Sequence, residues 1–129
     1  MPAPQIAQVE NLQAELDKAT NTILYTCTVT EVVGNPVYIS SADTVAQADA
    51  SVIGTARVVG WIYSKPTDTS CLVSRGPGPV TASGLTVGAP VFLSDTAGAV
   101  ATAPGTITVE VGVAKTTTSF IFTGARISG

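Results

Sequence analysis

The chain has 129 residues, of which 45% are apolar, 12% charged and 5% aromatic, a length that suits one domain or two very small ones. Its net charge of −3 comes from scattered residues, so there is no basic stripe for a nucleic-acid backbone, and no apolar run approaches the roughly 18–20 residues of a membrane span. Histidine is absent, which removes the usual general base and the commonest metal ligand.

The N-terminus lacks the basic and apolar regions of a signal peptide, so a soluble protein made in the cytoplasm is expected. Residues 4–21 hold most of the helix-favouring residues and, after Pro4, neither Gly nor Pro. Val9, Leu12, Leu16, Ala19 and Ile23 are spaced 3, 4, 3, 4, the pattern of a heptad seam, with Glu10, Gln13, Glu15, Asp17 and Lys18 off it. The spacing predicts an N-terminal α-helical segment over 1–23. So short a helix is marginal alone and must pack on something. Three arrangements remain open: packing on the chain's own β-domain, self-association through Val9, Leu12, Leu16 and Ile23, or docking on another protein.

From Leu24 onward, Thr, Val and Ile dominate, and Gly, Pro, Asn, Asp and Ser cut the runs short. Strands are expected at 25–33, 36–40, 56–63, 71–74, 79–82, 90–94, 99–102, 106–114 and 119–123, with a further strand or a helical turn near 44–46. Many short strands predict a mainly β fold, a compact β-sandwich or barrel spanning 24–129. "GNPVYIS" at 34–40 returns as "GAPVFLS" at 88–94. "RVVGWIY" (57–63) resembles "VEVGVAK" (109–115), with Gly60 answering Gly112, and "SCLVSRG" (70–76) resembles "SFIFTGA" (119–125). A Gly inside a β run marks a bulge or a close backbone approach. Two similar halves are expected, about 24–76 and 79–129, joined by the Gly/Pro-rich connector "SRGPGPVTASG". Each is small enough to be marginal alone, so together they would build one β unit.

Little points to chemistry. Cys27 and Cys71 could pair, but two reduced, buried thiols are the simpler expectation for a protein made in a reducing compartment. The nine carboxylates are scattered. Asp43 and Asp49 could help hold a cation, although solvated loop carboxylates are the plainer reading. Trp61 could offer a stacking face to a sugar, or could sit in the core or an interface. With no convergent charged cluster, neither enzymatic activity nor a cofactor is expected.

The stretch "LTVGAPVFLSDTAGAVATAPGTITVEVGVAKTTTSFIF" (85–122) resembles the small β modules of tailed-bacteriophage virion proteins, and "VVGNPVYISSADTVAQADAS…VVGWI" is similar to the same run. The likeness spans about 32–123 and points to the capsid decoration (head cement or head-fibre) family. It implies a non-enzymatic virion structural protein on the outer capsid surface, a homotrimer whose partner is the major capsid protein, with no nucleic acid or membrane partner. Within that likeness, Pro2, Ala3, Pro4, Gln5 and Ile6 are the expected capsid contacts, and the heptad residues the oligomer contacts. The alternative is a tail-fibre or head-fibre module binding a glycan or receptor through Trp61 and "SRGPGP".

Overall fold

The computed structural model describes residues 22–128. This region is mainly β: β1 (Thr22–Thr26), β2 (Pro36–Ser41), β3 (Thr44–Gln47), β4 (Gly60–Thr67), β5 (Ser70–Ser74), β6 (Val80–Thr81), β7 (Pro90–Leu93), β8 (Val100–Ala101), β9 (Thr108–Thr116) and β10 (Ser119–Ser128). The first five strands close into a small barrel in the order β1-β3-β2-β4-β5, and the last five form an open sheet in the order β6-β10-β9-β7-β8. The helix expected before residue 22 lies outside the described residues.

The two strand orders are one order displaced by five. β2 pairs antiparallel with β3 and β4, and β4 with β5, which pairs with β1; β7, β8, β9, β10 and β6 repeat these pairings. The likeness reaches individual hydrogen bonds. Gly34 N donates to Ile62 O and Ile62 N to Asn35 O; Gly88 N donates to Ala114 O and Ala114 N to Ala89 O, all at 2.8–3.0 Å. Both heptapeptides therefore start at a tight turn, where Gly34 (φ 95°) and Gly88 (φ 79°) take the left-handed conformation that glycine adopts at little cost. The β4–β5 and β9–β10 hairpins match as well. In each, a threonine hydroxyl meets a serine hydroxyl (Thr67 and Ser70 at 2.7 Å; Thr116 and Ser119 at 2.8 Å) and accepts the N–H of the intervening Thr69 or Thr118.

Gly60 and Gly112 hold equivalent places, paired with Val37 and Val91. A Cβ on Gly60 would press on the Ser74 carbonyl and the Val73 side chain; one on Gly112 would press on the Ile121 carbonyl and the Phe120 ring. Both glycines are present because the neighbouring strand passes too close for any side chain.

The halves differ in closure. In the first, a parallel contact of Thr26 with Thr44, reinforced by Thr26 N donating to Asp43 O at 2.8 Å, joins β1 to β3. Its interior holds Cys27, Val37, Val45, Ile62, Cys71 and Val73. In the second, Phe120 and Phe122 stand where the first has Cys71 and Val73. Two phenyl rings exceed so narrow a bore, and the sheet opens instead over a larger core. That core combines Val80, Leu85, Val91, Leu93, Val109, Val111, Ala114, Phe120 and Phe122 with Ala48, Ala50, Ala56 and Trp61 of the first half. The two halves thus share one core. The backbone of 48–50 threads into the second half, with Gly98 N donating to Ala48 O, Ala50 N to Ser94 O, and Ile107 N to Ala50 O. Asn35 Nδ2 reaches Gly98 O at 3.3 Å, a cross-half bond that Ala89, its counterpart, cannot make.

Several boundaries differ from the sequence expectation. The strand expected over 25–33 runs from Thr22 to Thr26, so Thr22 and Ile23 belong to β1 and not to a helix. Residues 27–35 form a loop, because side-chain hydrogen bonds turn the chain out of the sheet there. The strand expected at 56–63 occupies Gly60–Thr67, past Pro66; register shifts between Ile62 and Thr67 absorb the proline. The last strand continues to Ser128 across a bulge between Phe122 and Arg126, where Gly124 has φ 99°.

Replacing Gly60 or Gly112 by Ala should cost about 1–3 kcal/mol or more, the range of overpacking a tight site. Gly54→Ala, where an added Cβ meets nothing within 4 Å, should stay within about 0.5 kcal/mol of the wild type. Urea unfolding of the three variants checks this; equal stability of all three would refute the close-approach account.

Candidate interaction surface

The β1–β2 loop buries its one carboxylate, Glu31, and leaves its valines outside. Glu31 is only 4% exposed. Its carboxylate accepts the Thr28 N–H at 3.2 Å and the Thr28 hydroxyl at 2.9 Å, closing one turn. Lys65, on β4, donates its ammonium to the carbonyls of Thr28 (2.8 Å) and Glu31 (2.6 Å). Asn35 Oδ1 accepts the Val32 N–H and Gln47 Nε2, each at 2.9 Å, and Gln47 Nε2 also lies 3.3 Å from Thr30 O. With the backbone polar groups served from beneath, Val29, Val32 and Val33 are left in solvent, 69%, 52% and 59% exposed. Glu31, which the sequence showed only as one of several scattered carboxylates, is a buried clamp.

Other large aliphatic side chains are also exposed: Ile23 and Leu24 on β1, Val52 and Ile53 on the β3–β4 loop, Val87 before β7, Val113 on β9 and Ile127 on β10. Val87 is the counterpart of Val33. Val113 is the counterpart of Trp61, so the face that the first sheet buries against the second half is open on the second sheet. Pro90, Val113 and Ile121 form a row across β7, β9 and β10 on that open face.

Of the residues expected to make oligomer or capsid contacts, only Ile23 lies within the described part. It projects from a strand and is 54% exposed. Val9, Leu12, Leu16 and the segment Pro2, Ala3, Pro4, Gln5 and Ile6 lie outside the described residues. Trp61 is 5% exposed, donates its indole N–H to Gly76 O at 2.9 Å, and meets Tyr63 edge-on at a ring separation of 6.1 Å. It is a core residue, so the sugar-stacking role weighed for it fails. The connector beside it borders a cleft of about 440 Å³ between Val58–Val59, Arg75–Pro77 and Phe122–Ala125.

The remaining polar candidates are occupied by local structure. Asp49 accepts hydrogen bonds from the Ser51 N–H, the Ser51 hydroxyl and the Thr55 hydroxyl. The Ser51 hydroxyl above all lowers its pKa. The carboxylate serves its own loop, and no group of three His, Cys, Asp or Glu able to hold a metal ion occurs among the described residues. Asp43 has φ 54° at the β2–β3 turn, a conformation aspartate tolerates better than most residues.

Cys27 and Cys71 are both buried and unbridged. Cys27 N donates to Thr69 O at 2.9 Å while Tyr25 is opposite Cys71, so the two thiols are diagonal neighbours across the β1–β5 ladder. Their side chains meet in the barrel interior, close enough for a thiol–thiol hydrogen bond, and stay unbridged. Burial, followed by the hydrogen bond and the like charge of Cys27, pushes the Cys71 thiol up from 9.0 to about 12.

No family model, no curated protein and no solved structure matches the chain.

Native protein at pH 8 should show no thiol reactive to a soluble aromatic disulfide reagent, and two after denaturation. Because the folded state holds the Cys71 proton more tightly than the unfolded chain does, stability should fall as pH rises from about 9 toward 12. A stability that is flat across that window in urea melts would contradict the buried-thiol account.

Proposed function

We propose that this is a non-enzymatic virion structural protein that binds the outer surface of an assembled tailed-phage capsid and stabilises it as a decoration protein. The observation that carries the reading is the inverted β1–β2 loop together with the open face of the second sheet. These surfaces expose Val29, Val32, Val33, Val113 and their neighbours on a rigid body. Exposed aliphatic side chains in groups suit protein contacts, not catalysis. The resemblance of 32–123 to phage virion modules supports the same reading and supplies the partner, the major capsid protein, and a homotrimeric state.

In this reading the action is mechanical. Each subunit bridges neighbouring capsomers through modest apolar contacts, and the trimer multiplies them by avidity. Binding the mature shell, but not its precursor, stabilises the mature form by mass action. Val9, Leu12, Leu16 and Ile23 would join the copies, and residues 2–6 would reach the shell.

The experiment is the copy number in purified virions, by quantitative mass spectrometry against the major capsid protein. The expected result is a ratio of one, or a simple fraction of it, across the lattice. A handful of copies per particle would move the protein to a tail or head fibre, and absence from particles would overturn the virion reading.

A further inference from the structure

We propose that the β1–β2 loop is the element by which the β body grips its partner, seating Val29, Val32 and Val33 in an uncharged, apolar groove on a repeating protein surface. This rests on the capsid-binding reading and deepens it by naming the contact and the chemistry of its complement.

Three observations converge on the loop. The first is its preorganisation. Glu31, Lys65, Asn35 and Gln47 fix the backbone between Thr28 and Val32 with five hydrogen bonds of 2.6–3.3 Å, and two side-chain bonds, Thr28 to Glu31 and Gln47 to Asn35, brace them. A loop ordered before binding loses little entropy on contact, so a small apolar surface suffices. The valines held up in this way are exposed and belong to neither core cluster.

The second is charge. Glu31, the loop's one ionisable side chain, is turned inward, and Lys65 is spent on loop carbonyls. The outward face consists of valine methyls and threonine hydroxyls. Its complement therefore carries no charge at the contact, since an unpaired charge buried there would be costly.

The third is area. Three valines exposed by half to two-thirds offer on the order of 200 Å² of apolar surface, against the roughly 800 Å² per partner of a stable one-to-one interface. That is too little to hold two free copies of the chain together. It is enough where many copies engage a surface that repeats, because each contact then acts at high effective concentration. The occupant is the shell subunit, not a second copy.

The test uses the full chain carrying Val29→Ser, Val32→Ser and Val33→Ser together, expressed in infected cells in place of the wild type. Chains per shell subunit are counted in purified particles. Incorporation is expected to fall by about tenfold or more, with an unchanged melting temperature and an unchanged oligomeric state in solution. A second chain, wild type except for a photoreactive phenylalanine at position 29, needs no folding argument. Irradiated particles are expected to give cross-links from position 29 to apolar residues of the shell subunit. Undiminished incorporation of the triple variant would overturn the loop while leaving the capsid reading standing. Loss of self-association in solution, or cross-links confined to other copies of the chain, would reassign the loop to contact between copies and overturn the proposal. Absence of wild-type protein from the particles would overturn both readings.

Discussion

The structure depends on β4 being buried on both of its faces. Ile62 points into the closed barrel with Val37, Val45 and Val73, while Trp61, one residue earlier, points the other way into the core of the second half. Successive side chains of a strand must alternate, so a strand that supplies both cores ties them together rigidly. Half of this chain would bury too little to stand alone. Through Trp61 each half completes the other: the second sheet, held open by Phe120 and Phe122, gains a lid, and the barrel gains cover for its outer face. The Trp61 indole N–H would cost free energy in that core without a partner, and the Gly76 carbonyl of the connector supplies one.

Once the halves are locked in this way, they can no longer be used alike. A duplicated body has two copies of every face, and packing one half against the other consumes only one copy of each. Trp61 is buried and its counterpart Val113 is exposed; Asn35 spans the seam and Ala89 does not. The open face of the second sheet and the valine loop of the first are what this asymmetry leaves over. A protein whose leftover surfaces expose groups of aliphatic side chains is suited to contact with other proteins.

The β character was legible because Val, Ile and Thr runs broken by Gly and Pro admit little else, and the two heptapeptides did fall on β2 and β7. Gly60 and Gly112 were legible as close approaches, since a glycine within a β run has few other uses. The hairpins sharing Thr-x-Thr-Ser, at 67–70 and 116–119, were readable in principle, but short polar matches are common in a threonine-rich chain. The strand boundaries around the valine loop were not legible. "TCTVTEVV" alternates as a strand should, and it takes Lys65 and Gln47, from distant positions, together with the local bonds of Glu31 and Asn35, to hold the chain in a loop.

Local physics thus determined, from sequence alone, that this chain is mainly β, that its turns fall at Gly34 and Gly88, and that it offers no histidine-based chemistry. These properties depend on residues near one another along the chain or on composition. Tertiary structure alone decided that one set of five strands closes and the other stays open, that Trp61 is core rather than surface, and that Glu31 turns inward while three valines turn out. Each of these is settled by groups brought together from distant positions: two phenyl rings against a narrow bore, an indole against the opposite half, and an ammonium from β4 against two loop carbonyls.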